Sequence, residues 1–209
     1  MSIASVQLND QQQQQICAAV AKAESRTSGE IVPLILASAS DYEAPQIHAA
    51  ACLSMATTLL TLWWDHTLAL WVFAAIMAGS YVGARLAINR VSALKRLLVG
   101  QERMAETVNE KAFSLFIQQG LHYTRDATGI LILICLFEKR VQILADRGIN
   151  EKVTQQQWQQ AIGTITAGLH RGTMVESLCE AIEQCGALLA EHCPQRADDE
   201  NELPDLIIQ

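Results

Sequence analysis

Residues 129–146 have the sequence GILILICLFEKRVQILAD, and this stretch decides the fold. Its first part, Gly129–Leu136, is apolar at every position, which is typical of a β-strand that is covered on both faces. A turn at Glu138 and Lys139 then leads to Arg140–Asp146, where apolar residues alternate with residues that would lie on the opposite face of the strand. By length and pattern the stretch predicts a β-hairpin whose first strand lies at the centre of a sheet.

Helical patterns and one further strand flank this β-hairpin in the sequence. Ile31–Ala37 is a short apolar run, and Pro33 within it predicts an edge strand because proline cannot donate to a ladder. Helix starts are indicated by polar capping residues, namely Asn9, Thr107, Thr154 and Thr173. This order predicts the α/β class, as a three-layer α/β sandwich with a small mixed sheet. Parallel pairing of the first strand with the central one would require only a long connection.

Two long apolar runs interrupt the predicted domain. Ile47–Trp64 and Thr67–Ile88 are separated by Asp65 and His66 alone. Neither run contains Asp, Glu, Lys or Arg before Arg85. As helices they would measure about 27 and 33 Å, each close to the thickness of a hydrocarbon core. They predict a two-helix transmembrane hairpin. The alternative, a pair of core helices in a soluble bundle, fits less well because core helices normally keep a polar face.

Basic residues beside these runs predict the orientation of the hairpin. The connecting loop contains no Lys or Arg, whereas five lie at or after the end of the second run: Arg85, Arg90, Lys95, Arg96 and Arg103. The positive-inside rule places the loop outside and both termini in the cytoplasm. Because the first 15 residues are polar, we expect no signal peptide. We therefore expect a two-span protein of the bacterial inner membrane, in contact with the lipid bilayer.

The predicted organisation has four segments. They are the N-terminal part of the soluble domain, the hairpin with its two spans, the C-terminal part of the domain and an acidic flexible tail: residues 1–46, 47–88 (47–64 and 67–88), 89–194 and 195–209. The apolar end of the tail, Leu203–Ile208, either docks as an extra strand on a sheet edge, in this chain or on a partner, or is disordered.

Composition narrows the function classes. The net charge is −7, and no basic tail or aromatic-interleaved basic run is present, so nucleic acid is not an expected partner. The six cysteines are scattered, without a C-x-x-C pair or zinc-like spacing to histidine. They indicate reduced thiols in a cytosolic compartment.

Carboxylates at one end of the predicted sheet are candidate metal ligands. The β-hairpin brings Asp126 and Asp146 to the same end, and parallel pairing of the first strand would add Glu30. Their oxygens could hold a hard divalent cation such as calcium or magnesium. Arg125 and Arg147 could orient a phosphate. The alternative is structural: a turn at Asp126, a helix cap or an ion pair with Arg147 at Asp146, and a solvated Glu30.

Small residues recur at every fourth position of the second apolar run. Such a stripe lets another helix approach closely, and here it consists of Ala75, Gly79, Gly83 and Ala87. One partner is the first run, with Ala50 and Ser54 as matching positions. The other is a second copy of the same helix, in a homodimer.

Three motifs resemble the TPM domain family. They are TSGEI at 27–31, TGILI at 128–132 and RVQILADRGI at 140–149, and the last, together with Trp158, is the most specific. The resemblance covers about 8–39 and 107–191, and the ending NELPD at 201–205 is similar to that of bacterial membrane-bound relatives. It implies a domain related to photosystem II repair and to phosphatases, with a cleft at the loops that carry the carboxylates.

These observations favour a membrane-anchored cytoplasmic TPM-like domain that acts as an interaction or maintenance module for a membrane protein complex. The alternative is a metal-dependent phosphatase of the TPM family. A second alternative is an accessory subunit of a membrane transporter, since the hairpin lacks the buried charges of a pathway of its own. No nucleophile–base pair or known catalytic motif is evident, so no catalytic residue is named and enzyme activity is not the favoured expectation.

Overall fold

The computed structural model describes residues 8–124, 127–195 and 203–208. The chain divides into two compact units, each described here by itself. The hairpin unit is Ser40–Met104. The sheet unit consists of the described residues within Ser2–Ala39 and Ala105–Gln209. The sheet unit is thus assembled from two stretches that lie on either side of the hairpin unit in the sequence.

The sheet unit contains one four-stranded mixed sheet. Its strands are β1 (Ile31–Leu36), β2 (Ile130–Cys135), β3 (Arg140–Ala145) and β4 (Ile207–Ile208), in the order β3-β2-β1-β4. β1 pairs in parallel with β2 and with β4, and β2 pairs antiparallel with β3. The predicted β-hairpin is confirmed, with the all-apolar strand inside the sheet and Ile130 opposite Ala145.

Helices cover both faces of this sheet. On one face, alternate strand residues such as Ile35 and Ile132 form a core with α1 (Asp10–Glu24), α7 (Gln155–Arg171) and α8 (Met174–His192). On the other face, Leu34 and Leu133 form a second core with α5 (Gln101–Gln118). Every β2 side chain is buried because each face has its own helical layer. The three-layer α/β sandwich is therefore the observed fold.

Pro33 does not mark an edge strand, because β4 pairs with β1 on the side away from β2. The carbonyls of Glu30 and Leu36 both accept hydrogen bonds from the β2 side, at 2.8 and 3.0 Å. Backbone groups of alternate residues point to opposite sides of a strand, so the nitrogen of Pro33 faces the β4 side. The β4 ladder begins at Leu34. Pro33 thus lies just before the point where a donor would be needed.

The C-terminal segment supplies that last strand. β4 is two residues long and pairs through Leu34↔Ile207 and Ile35↔Ile208. Leu203 and Ile207 pack against the core on the α5 side of the sheet, and Leu206 packs against the core on the opposite side. Of the alternatives for Leu203–Ile208, docking within this chain is the one observed.

Two short elements complete the description of the sheet unit. A 3₁₀ turn, Leu121–Tyr123, follows α5, and α6 (Arg147–Asn150) follows β3. The helix starts predicted at Asn9 and Thr154 are confirmed, and each is a capping box. The helix start expected at Thr107 is wrong: α5 begins at Gln101, because Gly100, with φ +78° and ψ 152°, ends the preceding helix there.

The hairpin unit contains α2 (Glu43–Trp64), α3 (Leu70–Arg90) and α4 (Ser92–Val99). The first helix begins earlier than Ile47 because Pro45 falls in its first turn, where no N–H partner is required. The second begins later than Thr67 because Asp65 accepts hydrogen bonds from the backbone N–H and the hydroxyl of Thr67, which holds that residue in the turn.

Both long helices have the length and composition to cross a membrane. Their large side chains are mostly exposed, with Trp63, Trp64 and Trp71 at 79%, 84% and 74%. A core helix of a soluble protein would bury such residues, so the exposure separates these helices from that alternative.

Candidate functional site

Glu30 and Asp146 lie at the same end of the sheet. Glu30 immediately precedes β1, and its carbonyl accepts a hydrogen bond from Ile130 N at 2.8 Å. Asp146 immediately follows β3, and its N–H donates to the carbonyl of Gly129 at 2.9 Å. Since neighbouring strands are about 4.8 Å apart, these two backbones flank the start of β2 at a separation of about 10 Å. The parallel pairing that brings Glu30 to this end is observed.

Asp146 and Arg147 have local structural roles. Asp146 Oδ1 accepts a hydrogen bond from Arg147 N at 2.6 Å and so caps α6, while Oδ2 is buried and accepts none from the described residues. Arg147 Nε donates to Glu151 Oε1 at 2.8 Å, an ion pair that raises the pKa of the exposed arginine. Arg125 and Asp126 lie outside the described residues.

Sequence reasoning missed a third carboxyl group at this end, that of Glu24. Glu24 is the last residue of α1, and its Oε1 accepts a hydrogen bond from Ile31 N at 2.9 Å. The Glu24 carboxyl group is also hydrogen-bonded to the side chain of Glu30, which is 7% exposed. Two carboxyl groups can share a hydrogen bond only when one of them holds a proton. The raised pKa of Glu24 favours the protonated form that this contact requires.

Burial is the main cause of that raised pKa. Together with the negative charges of Glu30 and Asp205 it raises the pKa of Glu24 to about 8, although the hydrogen bond from Ile31 N lowers it. Asp205 lies at this end because it comes two residues before β4, which runs parallel to β1. Its charge also raises the pKa of the Cys17 thiol, although burial is the larger cause there.

Four carboxyl side chains among the described residues lie at this end of the sheet, which is named the acidic edge: Glu24, Glu30, Asp146 and Asp205. Glu24 and Glu30 contact each other and Asp146 caps α6, so three of these four side chains have structural roles. Within the described parts of the chain, no three His, Cys, Asp or Glu side chains converge in a way that could hold a metal ion. Of the expected set, Glu30 and Asp146 belong to the described residues and Asp126 does not.

The small-residue stripe of α3 faces away from α2. Ala75, Gly79, Gly83 and Ala87 are all exposed, and a Cβ added at either glycine would meet nothing within 4 Å. On α2, by contrast, Ala50 and Ser54 are buried. The packing of the stripe on Ala50 and Ser54 is therefore not observed, and the stripe remains open to a neighbour.

The sheet unit is thus a three-layer α/β domain with carboxyl groups gathered at one edge of its sheet. Residues 90–188 match the TPM domain family. The whole chain is similar in fold to the NMR structure of the BA42 protein from the psychrophilic bacterium Bizionia argentinensis. The two sequences are 21% identical, the TM-score is 0.62, and the similarity covers 100% of this chain and 99% of that one. No curated protein matches the sequence.

Residues 90–188 are therefore similar to a TPM domain. The motifs TGILI and RVQILADRGI, which carry the resemblance, form β2, β3 and the start of α6, so they build the centre of the sheet and one side of the acidic edge. The family match begins at residue 90, yet α1 and β1, from the N-terminal stretch, complete the same core and the same sheet.

Proposed function

We propose that the protein is a membrane-anchored TPM domain that serves as an interaction or maintenance module for a membrane protein complex, with its sheet unit in the cytoplasm. The observation that carries the proposal is the exposed apolar surface of the hairpin unit. Leu59, Leu60, Leu70 and Leu86, at 59–85% exposure, extend along both helices. A surface of this size costs free energy in water and is stable in lipid.

The distribution of aromatic and basic residues supports the same arrangement. Trp63, Trp64 and Trp71 gather at the loop end of the two helices, and interfacial positions favour such amphipathic rings. Arg85 and Arg90 lie near the opposite end of α3. The termini of the hairpin unit, with the sheet unit attached to them, are then on the cytoplasmic side.

Alkaline phosphatase fusions test the topology. A fusion at Asp65 should be active because the enzyme folds only outside the cytoplasm, and a fusion after Gly100 should be inactive. Sodium carbonate washing of membranes should leave the native chain in the pellet. The reverse pattern of fusion activities would overturn the cytoplasmic assignment, and release by carbonate would overturn the membrane anchor itself.

A binding role is favoured over a metal-dependent phosphatase because two of the candidate site residues already have structural interactions. Asp146 caps α6 and Arg147 pairs with Glu151. The two roles separate in one assay: phosphomonoester hydrolysis by the native chain and by Asp146→Asn, with Ca²⁺ or Mg²⁺ added. We expect no turnover, and a divalent ion should raise the melting temperature only slightly. Robust hydrolysis that is lost in Asp146→Asn would reverse the order of the two hypotheses.

The partner complex can be identified by affinity purification from native membranes solubilised in a mild detergent, with an untagged control. Recovery of a stoichiometric membrane protein would support the module hypothesis. A transporter among the recovered proteins would favour the accessory-subunit alternative, and self-association would direct attention to the open stripe of α3.

A further inference from the structure

The eight-residue helix α4 is a separate element at the end of the second long helix. The chain leaves the helical conformation at Val91, with φ −114° and ψ 96°, and α4 then packs against both α2 and α3 within the hairpin unit. Gly100 ends it in a backbone conformation that is essentially restricted to glycine. α4 is therefore neither a continuation of α3 nor the start of α5.

Apolar side chains continue from α3 onto α4. Leu86 near the end of α3 is 59% exposed, Val91 at the bend 48%, and Leu97 on α4 78%. Leu94 and Leu98 are partly buried, and Val99 is buried. The exposed apolar surface of the long helices thus extends around the bend, and Leu97 lies on its α4 part.

Positive charge is concentrated in the same segment. Residues 85–103 contain five of the 15 Lys and Arg residues of the chain and only one of its 22 acidic residues, Glu102. The whole chain carries a net charge of −7, so this segment has the opposite sign to the rest of the protein. A short helix with cations beside exposed leucine has the composition of a helix that lies in a lipid headgroup layer.

We propose that α4 is an interfacial helix that binds anionic phospholipid, with Arg90 and Lys95 contacting headgroup phosphates and Leu97 inserted at the acyl boundary. This inference rests on the proposed membrane insertion of the hairpin unit. The occupant of the exposed surface is the lipid itself, because the apolar surface is continuous with that of the long helices and the charge is complementary to an anionic leaflet.

The test uses the full chain in lipid nanodiscs of two compositions, pure phosphatidylcholine and an equal mixture with phosphatidylglycerol. Hydrogen exchange of the amides of Ser92–Val99 is the measurement. Each cation near an anionic surface should strengthen membrane binding by about fivefold. Exchange through states in which α4 leaves the surface should slow by the same factor. We expect slower exchange in the anionic discs, and loss of the difference at high salt, where the attraction is screened.

Two charge variants make the test specific. Arg90→Gln with Lys95→Gln should exchange about 25-fold faster than the native chain in anionic discs. The matched control, Lys139→Gln with Arg171→Gln, removes the same charge from the sheet unit and should behave as the native chain. If Lys95→Gln unfolds α4, Arg90→Gln alone and the salt series still decide, since neither alters the inside of the helix.

Several results would overturn the inference. Exchange that is equal in the two disc compositions, or that changes equally in the control variant, would show that α4 does not recognise anionic lipid. Protection by soluble glycerol phosphate at the same concentration would indicate a phosphate site instead of a membrane surface. Failure of the chain to enter discs of either composition would refute the proposed membrane anchor as well, whereas entry with no effect of composition refutes only the role of α4.

Discussion

Glu24 makes the folded protein sensitive to pH in an unusual direction. Its pKa is raised from 4.5 to about 8, chiefly by burial. The folded protein therefore keeps a proton that the unfolded chain releases between these values. Stability rises with pH only where the unfolded state binds more protons, so this carboxyl group makes stability fall as the pH rises from 4.5 to 8. Its full contribution is present below pH 4.5.

Glu24→Gln should remove this dependence. The glutamine oxygen can still accept from Ile31 N, and its amide N–H can donate to Glu30 without a titrating proton. We expect a higher melting temperature than the native chain at pH 8 and a flatter profile between pH 5 and pH 8. Glu180→Gln, on exposed α8 surface, is the control and should leave the slope unchanged. An unaltered slope in Glu24→Gln would mean that another group holds the proton.

Two glycines of α7 give a matched pair for the packing of α7 on α8. A Cβ at Gly168 would clash with the side chain of Ser177 and lie 2.9 Å from the carbonyl oxygen of Thr173, whereas a Cβ at Gly163 would meet nothing within 4 Å. Gly168→Ala should cost about 1–3 kcal/mol because backbone and Ser177 must both shift. Gly163→Ala should gain about 0.5–1 kcal/mol from helix propensity.

Denaturant unfolding of both alanine variants checks this expectation. The free energies of unfolding should change with opposite signs, which a general effect of alanine in α7 could not produce. Equal changes would mean that α7 and α8 are further apart at Gly168 than the structure indicates.

The elements that the sequence predicts well are those whose patterns are local. A run that is apolar at every position identifies β2, alternation identifies β3, and capping residues locate the starts of α1 and α7 at Asn9 and Thr154. The sequence gives only a weak indication that Glu24 is buried, namely its position one turn after Val20 on the buried side of α1. Its partner Glu30 is positioned by the pairing of β1 with a strand about a hundred residues away. The order of the strands required the same long-range information.

Pro33 illustrates how a correct rule gave a wrong position. Proline does lack the N–H donor, but the nitrogen of Pro33 faces β4, and the pairing of β1 with β4 begins only at Leu34. The two-residue strand had no alternating pattern of its own, so the sequence left its docking open. The direction of the α3 stripe was equally hidden, because small residues suit contact with either α2 or a second molecule.

The docking of β4 predicts a measurable effect of the tail. Ile207→Asp places a charge against the core on the α5 side of the sheet, so β4 should detach and expose the edge of β1. We expect a lower melting temperature and more self-association by light scattering. Ile207→Val retains a β-branched apolar residue and should do neither. If Ile207→Asp leaves both properties at native values, β4 contributes nothing to the edge.

The division into two units leads to a prediction about deletion of the hairpin unit. α1 and β1 come before the hairpin unit, while β2, β3, α7 and α8 come after it, yet they share one buried core. We propose that this core folds without the hairpin unit, which would make the hairpin an insertion in one domain. Closing a loop of different length costs little, since doubling its length adds only about 0.6 kcal/mol.

Replacing residues 41–100 with a flexible polar linker therefore tests the molecule as a whole. The shortened chain keeps α5 intact and should be soluble without detergent, with a single cooperative unfolding transition. Glu24→Gln in this background should still flatten the pH profile, because the acidic edge belongs to the sheet unit alone. Several linker lengths separate a poor connection from a poor core. A molten or insoluble product at every length would mean that the sheet unit depends on the hairpin for its fold, and that the two stretches do not make one independent domain.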